Sequence, residues 1–222
     1  MSSIKQNLNE VRHDLGAQVK LVAVSKNHPA EALLEAYQAG QRIFGENRVQ
    51  EILAKQPLLP SDIEWHMIGH LQTNKVKLIA PFISMIHSID SLKLLIEVSE
   101  QAVKNRRIID CLLQIFIATE ETKFGLDQVE LSDLLTVIRK SPLPGVRIRG
   151  LMGMASFSDD YNLVRQEFRG LKVLFDNIRN DFFNDQDSFN ELSIGMSGDY
   201  SIAIEEGSTL VRIGTKIFGS RY

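Results

Sequence analysis

The sequence predicts an α/β fold: a single (β/α)8 barrel of the TIM type with an additional N-terminal helix, one domain over residues 1–222. Two observations predict it. Short β-type runs alternate with helical patterns along the whole chain, eight of each kind in turn, and no composition shift, low-complexity stretch or long linker interrupts them. Strands separated by helices must pair in parallel, because a crossover helix returns the chain to the same end of the sheet. Eight such units close into a barrel. The rival is an open doubly wound sheet, whose usual fingerprints G-x-G-x-x-G and G-x-x-x-x-G-K-[ST] are both missing here.

The N-terminal "MSSIKQNLNEVRHDLG" reads as a polar helix and not as a signal peptide. "LVAVS" (21–25) is the first strand. The helix after it opens at Pro29, whose missing N–H suits a first turn, and stops at Gly40. "RIFGEN" leads into "RVQEILAKQ", and "IEWHMIG" into "QTNKVKLIA". "MIHSID" precedes a long helix in which Leu92, Leu95, Ile96, Ala102 and Val103 share a face. "IIDCLLQIFIA" is followed by Leu131, Leu134, Leu135 and Ile138 at i, i+3, i+4, i+7. "VRIRGLMGMA" precedes Leu171, Leu174, Phe175 and Ile178 at the same spacing, and "NELSIGMS", the short helix "DYSIAIEE" and a final strand segment "TLVRIGTKIFG" complete the set.

Bulk properties exclude several function classes. A composition 44% hydrophobic over 222 residues fills a sizeable core. A net charge of −3 with scattered basic residues offers no field for nucleic acid. No apolar run approaches a membrane span. The single cysteine, Cys111, lies in an apolar run and reads as a small buried group, which suits a cytoplasmic protein.

In such a barrel the working residues gather at the carboxyl ends of the strands. That rule selects Lys26, Glu46, Asn47, His66, His70, Ser88, Asp90, Met154, Ser156, Met196, Ser197, Arg212, Gly214 and Thr215. Lys26 reads either as a solvated strand-end charge or as an imine-forming amine, which must lose its proton to react. "SIGMSGDY" and "RIGTK" each pair a glycine with a hydroxyl, the makings of an anion cradle after strands seven and eight. The other reading of these turns is ordinary turn chemistry, with Asp199 as a helix cap. In a cradle, the Asp199 carboxylate must turn away and cap other amides. His66 and His70 stand four apart, but the first falls on a strand and no glutamate sits between them, so metal ligation is disfavoured. Glu46 and Asp90 serve equally as general bases or as structural carboxylates. No nucleophile elbow or Ser-His-Asp arrangement stands out.

"AVSKNHPAEALLEAYQAGQRIFGENRVQE", "EWHMIGHLQTNKVK", "IHSIDSLKL", "RGLMGMAS" and "LSIGMSGDYSIAIEEGSTLVRIGTKIFGSRY" together resemble the pyridoxal phosphate homeostasis protein family, over nearly the whole chain. The resemblance implies a fold-type III barrel similar to the N-terminal domain of alanine racemase. It implies pyridoxal 5'-phosphate held as a Schiff base on Lys26, with its phosphate at Met196, Ser197, Gly214 and Thr215. Arg212 then lies against the pyridine nitrogen and Asn47 beside the ring. The implied role is carrier or regulator of the cofactor, with pyridoxal phosphate-dependent apo-enzymes as recipients, and a monomer.

Departures from the family pattern are His28 in place of a second lysine and Arg48 in place of an aromatic residue. Lys123 in "ETKFGL" corresponds to a lysine that helps to release or reload cofactor in some members. The alternative is a weak amino-acid racemase, against which stands the end of the chain at Tyr222, where alanine racemase continues into a β domain. Two-base inversion also needs a second base, and one candidate is evident. An aldolase-like barrel acting on a sugar phosphate through Lys26 is a third reading.

Overall fold

The computed structural model describes residues 3–118 and 124–219, and the reading of Lys123 lies outside them. Its eight strands are β1 (Lys20–Val24), β2 (Ile43–Glu46), β3 (Glu64–Met67), β4 (Met85–Ile89), β5 (Ile109–Gln114), β6 (Val146–Met152), β7 (Glu191–Ser193) and β8 (Leu210–Ile213). They form a closed barrel in chain order, every neighbouring pair parallel, and β1 pairs with β8 from Lys20 against Leu210 to Ala23 against Ile213. The predicted (β/α)8 barrel is the fold.

Helix α1 (Ile4–Leu15) precedes the barrel and α2 (Ala30–Gln38), α3 (Val49–Lys55), α4 (Thr73–Ile79), α5 (Leu92–Lys104), α6 (Gln128–Lys140), α7 (Tyr161–Phe182), α8 (Tyr200–Glu205) and α9 (Thr215–Phe218) follow the successive strands. Side chains alternate along each strand, so one set faces the helices and the other the barrel interior. Leu21, Ala23, Phe44, Trp65, Met67, Ile86, Leu113, Leu151, Leu192 and Val211 join the large core between barrel and helices. Inside, Val22, Val24, Ile68 and Leu210 form one apolar group, and Met85, Leu112 and Met152 another.

Three local expectations change. The buried face of α5 is Leu94, Leu95, Val98, Ser99 and Ala102, whereas Ile96 and Val103 are exposed. That helix carries apolar residues on more than one face, and contact with the barrel chooses between them. The segment "TLVRIGTKIFG" is not one strand: β8 stops at Ile213, and the chain turns at Gly214 into α9. Pro29 is the N-cap of α2 and not its first helical residue, its extended ψ of 162° ending the loop from β1.

The N-terminal helix braces the carboxyl end of the barrel. Its Leu8, Val11 and Leu15 are buried, Asn7 donates to the Ile217 carbonyl at 3.0 Å, and Asp14 accepts from the Tyr200 hydroxyl at 2.6 Å. Helix α1 is therefore tied to both short helices that follow β7 and β8.

Candidate functional site

A cavity of about 450 Å³ opens at the carboxyl ends of the strands, within the size range of small-molecule sites. It is lined by all seven residues singled out as cofactor contacts: Lys26, Asn47, Met196, Ser197, Arg212, Gly214 and Thr215. Val24, Ile68, Met154 and Phe157 supply apolar wall, and Gly198 and Asp199 complete it. Closure of the barrel brings β1 beside β8, and so Lys26 beside Gly214, although they are far apart in sequence.

Lys26 is half-buried in the turn that ends β1. The His28 N–H donates to the Ser25 carbonyl at 3.0 Å, and Asn27 holds a left-handed φ of 64°, a conformation that asparagine tolerates better than most residues. His28 lies against the Phe218 ring, centroids 5.0 Å apart. Asn47 follows β2, and its backbone is pressed by Gly69, where a Cβ would meet the Asn47 carbonyl oxygen at 2.5 Å. Only glycine at 69 permits that approach.

The two turns of the cradle are bonded to each other. The Gly214 N–H donates to Ser197 Oγ at 3.2 Å, and the Met196 N–H donates to Asp199 Oδ1 at 2.6 Å. The Asp199 carboxylate is thus turned back onto its own loop, and it does not cap α8 through its side chain. A Cβ added to Gly198 would meet no atom within 4 Å, so the wall is open there.

Arg212 is buried at the floor. It donates from Nη1 to the Ser193 carbonyl at 2.8 Å and to Ser193 Oγ at 2.5 Å, and from Nη2 to the Gly153 carbonyl at 3.0 Å. Burial pushes its pKa down to about 10, opposed by Asp199, so the guanidinium stays charged at neutral pH. Two histidines continue the chain inward. His87 Nδ1 is 3.1 Å from Ser193 Oγ, and His87 Nε2 is 2.9 Å from His66 Nδ1. Burial holds both rings neutral, pushing the His66 pKa down to about 3 and that of His87 well below its ordinary value.

The remaining candidates lie elsewhere. His66 and His70 do not converge, since His66 faces His87 in the interior while His70 pairs with Asp90 at 2.9 Å and stacks on Phe124 at the rim. Ser156 bonds Glu167 at 2.7 Å, and the buried Ser88 Oγ has no hydrogen-bond partner among the described residues. Glu46 faces the helices, where it meets Lys55 at 2.6 Å and Ser25 Oγ at 2.7 Å. Ser193, His87, Phe157 and Lys55 are contributors to the site and its surroundings that sequence reasoning did not select. A polar residue inside a strand was the available signal for the first two.

Fold and site together define a barrel of the alanine racemase N-terminal domain class, and the family model of that description matches residues 1–222. The chain belongs to the pyridoxal phosphate homeostasis protein family. It is 39% identical to the pyridoxal phosphate homeostasis protein of Vibrio alginolyticus, covering 100% of this chain and 99% of that one. The structure of PipY from Synechococcus elongatus PCC7942 with pyridoxal phosphate bound superposes with a TM-score of 0.88 at 38% identity, covering 98% of this chain and 100% of that one. Alanine racemase from Bartonella henselae, with covalently bound pyridoxal phosphate, shares the fold at a TM-score of 0.71 and 18% identity, over 98% of this chain and 58% of its own.

Proposed function

We propose that this protein is a pyridoxal 5'-phosphate-binding protein of cofactor homeostasis, a single barrel domain that holds the cofactor on Lys26 and releases it to other acceptors. The observation that carries the reading is the convergence of one lysine amine, one buried guanidinium and two hydroxyl-bearing turns on a single cavity.

The residues present fit the group. The Met196 and Gly214 N–H groups are engaged by Asp199 and Ser197, so the Ser197 and Thr215 N–H groups and hydroxyls would hold a phosphate, and the open wall at Gly198 leaves room for it. Val24, Ile68 and Met154 offer apolar surface to an aromatic ring, with Asn47 at its edge. Arg212 would serve the ring nitrogen. A guanidinium donates without giving up its proton, so that nitrogen would remain unprotonated and the ring would be a weak electron sink.

When bound, the cofactor supplies an aldehyde that condenses reversibly with an amine. Lys26, on the wall of the cavity, would supply that amine. Storage and release need no further catalytic group. Proton exchange at a substrate carbon needs an acid and a base on opposite faces. Among the described residues lining the cavity, Asp199 is the one carboxylate, and the Met196 N–H engages it. This supports a carrier or regulator over a racemase; we further propose that it acts in the cytoplasm as a monomer, with pyridoxal phosphate-dependent apo-enzymes as recipients. No helix among the described residues is long and apolar enough to cross a membrane.

The test is borohydride reduction of the protein mixed with pyridoxal phosphate, followed by peptide mass mapping. A stable pyridoxyl adduct confined to Lys26 is expected. Adducts spread over surface lysines would overturn the reading.

A further inference from the structure

Lysine is among the residues least often buried, because its ammonium loses hydration that few protein sites replace. Lys55 is an exception with a purpose visible in its contacts. It is the last residue of α3, its side chain is 9% exposed, and its ammonium meets three acceptors: the Ser25 carbonyl at 2.9 Å, Glu46 Oε1 at 2.6 Å and Glu51 Oε2 at 3.1 Å. An ammonium has three donors, and here each has a partner.

Those acceptors lead to both sides of Lys26. Ser25 precedes it, and besides its carbonyl bond to Lys55 it donates through Oγ to Glu46 Oε1 at 2.7 Å. Asn27 follows it, and its N–H donates to Glu51 Oε2 at 2.7 Å. The peptide units on either side of Lys26 are therefore both fastened to one buried cation, from behind the barrel wall and outside the cavity. Any three acceptors would satisfy a buried ammonium. Those that Lys55 has include the Ser25 carbonyl and Glu51, which also holds the Asn27 N–H, so the same contacts act on the turn. Reaction at an amine depends steeply on its placement, and a displacement near 1 Å can cost about a hundredfold in rate.

We propose that Lys55 is a positioning residue for Lys26, fixing the turn that aims the Lys26 amine into the cavity. Resting on the assignment of Lys26 as the cofactor anchor, the proposal assigns to Lys55 the rate of covalent capture and not the affinity for the cofactor's phosphate and ring. Capture joins Lys26 Nζ to the aldehyde carbon with loss of one water, and borohydride then fixes the bond.

The experiment compares wild type with Lys55→Met and Glu51→Ala on two readouts. One is the rate at which the reducible Lys26 adduct forms with pyridoxal phosphate. The other is the dissociation constant of pyridoxine 5'-phosphate, which has the ring and phosphate but no aldehyde. Capture is expected to slow at least about tenfold in Lys55→Met and severalfold in Glu51→Ala, while the analogue binds within about twofold of wild type. Capture at the wild-type rate would overturn the proposal, and so would an equal loss of capture and analogue binding. Should Lys55→Met not fold, Glu51→Ala decides alone, because Glu51 lies nearer the surface. A wild-type protein that forms no Lys26 adduct would instead sink the anchor assignment, which keeps the two failures distinct.

Discussion

Arg212 Nη1 lies 2.5 Å from Ser193 Oγ, and this contact orders the protons of the barrel interior. Arginine only donates, so the serine oxygen accepts. Among the described residues, His87 Nδ1 is then the acceptor for the serine's own proton, and His87 Nε2–H donates to His66 Nδ1. Every link is a satisfied bond between buried groups. The chain holds a cation at the cavity floor through neutral hydrogen-bond partners, with Asp199 of the same cavity favouring its charged form.

Replacing Ser193 by Ala leaves the His87 ring nitrogen without a donor and one Arg212 N–H without an acceptor. Buried polar groups left unmatched cost about 1–3 kcal/mol, and urea denaturation of Ser193→Ala should show a loss of that order. A variant as stable as wild type would mean that water or a neighbour takes over both bonds.

Lys26→Ala should abolish the borohydride-stable adduct and leave folding nearly unchanged. The side chain is half-buried in a turn and contributes little to the core. Visible absorbance of the mixture and a thermal melt check the two halves separately. An unchanged visible spectrum contradicts the assignment.

Ser197 and Thr215 test the cradle. Loss of one ordinary hydrogen bond costs about 0.5–1.5 kcal/mol, so each Ala substitution should weaken cofactor retention about two- to thirteenfold. Ser197→Ala is expected to be the larger effect, because Ser197 Oγ also accepts the Gly214 N–H and so spaces the two turns. Dissociation constants from equilibrium dialysis decide it, and two unaffected variants would place the phosphate elsewhere.

The barrel was legible because its strands are short apolar runs punctuated by glycine, proline and polar residues, and because a parallel arrangement follows from alternation with helices. Lys26, Ser197, Gly214 and Thr215 were legible for a second reason: the carboxyl ends of barrel strands converge wherever they lie in sequence. Lys55 was not. On "RVQEILAKQ" it looks like a solvated charge at a helix end, four residues after Glu51, and its partners Ser25 and Glu46 become neighbours through β1–β2 pairing. His87 and Ser193 are 106 residues apart, and no local pattern announces that they meet. Phe157 is 97% exposed yet lines the cavity, a placement set by the path of the loop after β6.

Glu46 provides a prediction in pH. Burial pushes its carboxyl up to about 7 against the pull of Lys55 and Ser25, and among the described residues its Oε2 has no hydrogen-bond partner. Glu51, the other acid facing Lys55, moves the opposite way: burial raises its pKa, but the Asn27 N–H and Lys55 outweigh burial and hold it below its ordinary value. A carboxyl with a raised folded-state pKa binds its proton more tightly when folded. Its stabilising contribution is complete below the unfolded value of 4.5 and is lost as pH rises through about 7. His66 has the reverse sign, since its folded pKa of about 3 lies below its ordinary value of 6.5, so its contribution is present above that value and lost as pH falls. In wild type these slopes oppose one another between pH 4.5 and 6.5. Glu46→Gln removes one of them and leaves every other titrating group in place. Its stability relative to wild type should therefore climb with pH by about 1 kcal/mol per unit across that window and level off above about 7. Urea denaturation of both proteins at pH 5, 6, 7 and 8 measures the slope. A difference that does not change with pH would show that the Lys55 ion pair holds the Glu46 carboxyl ionised throughout.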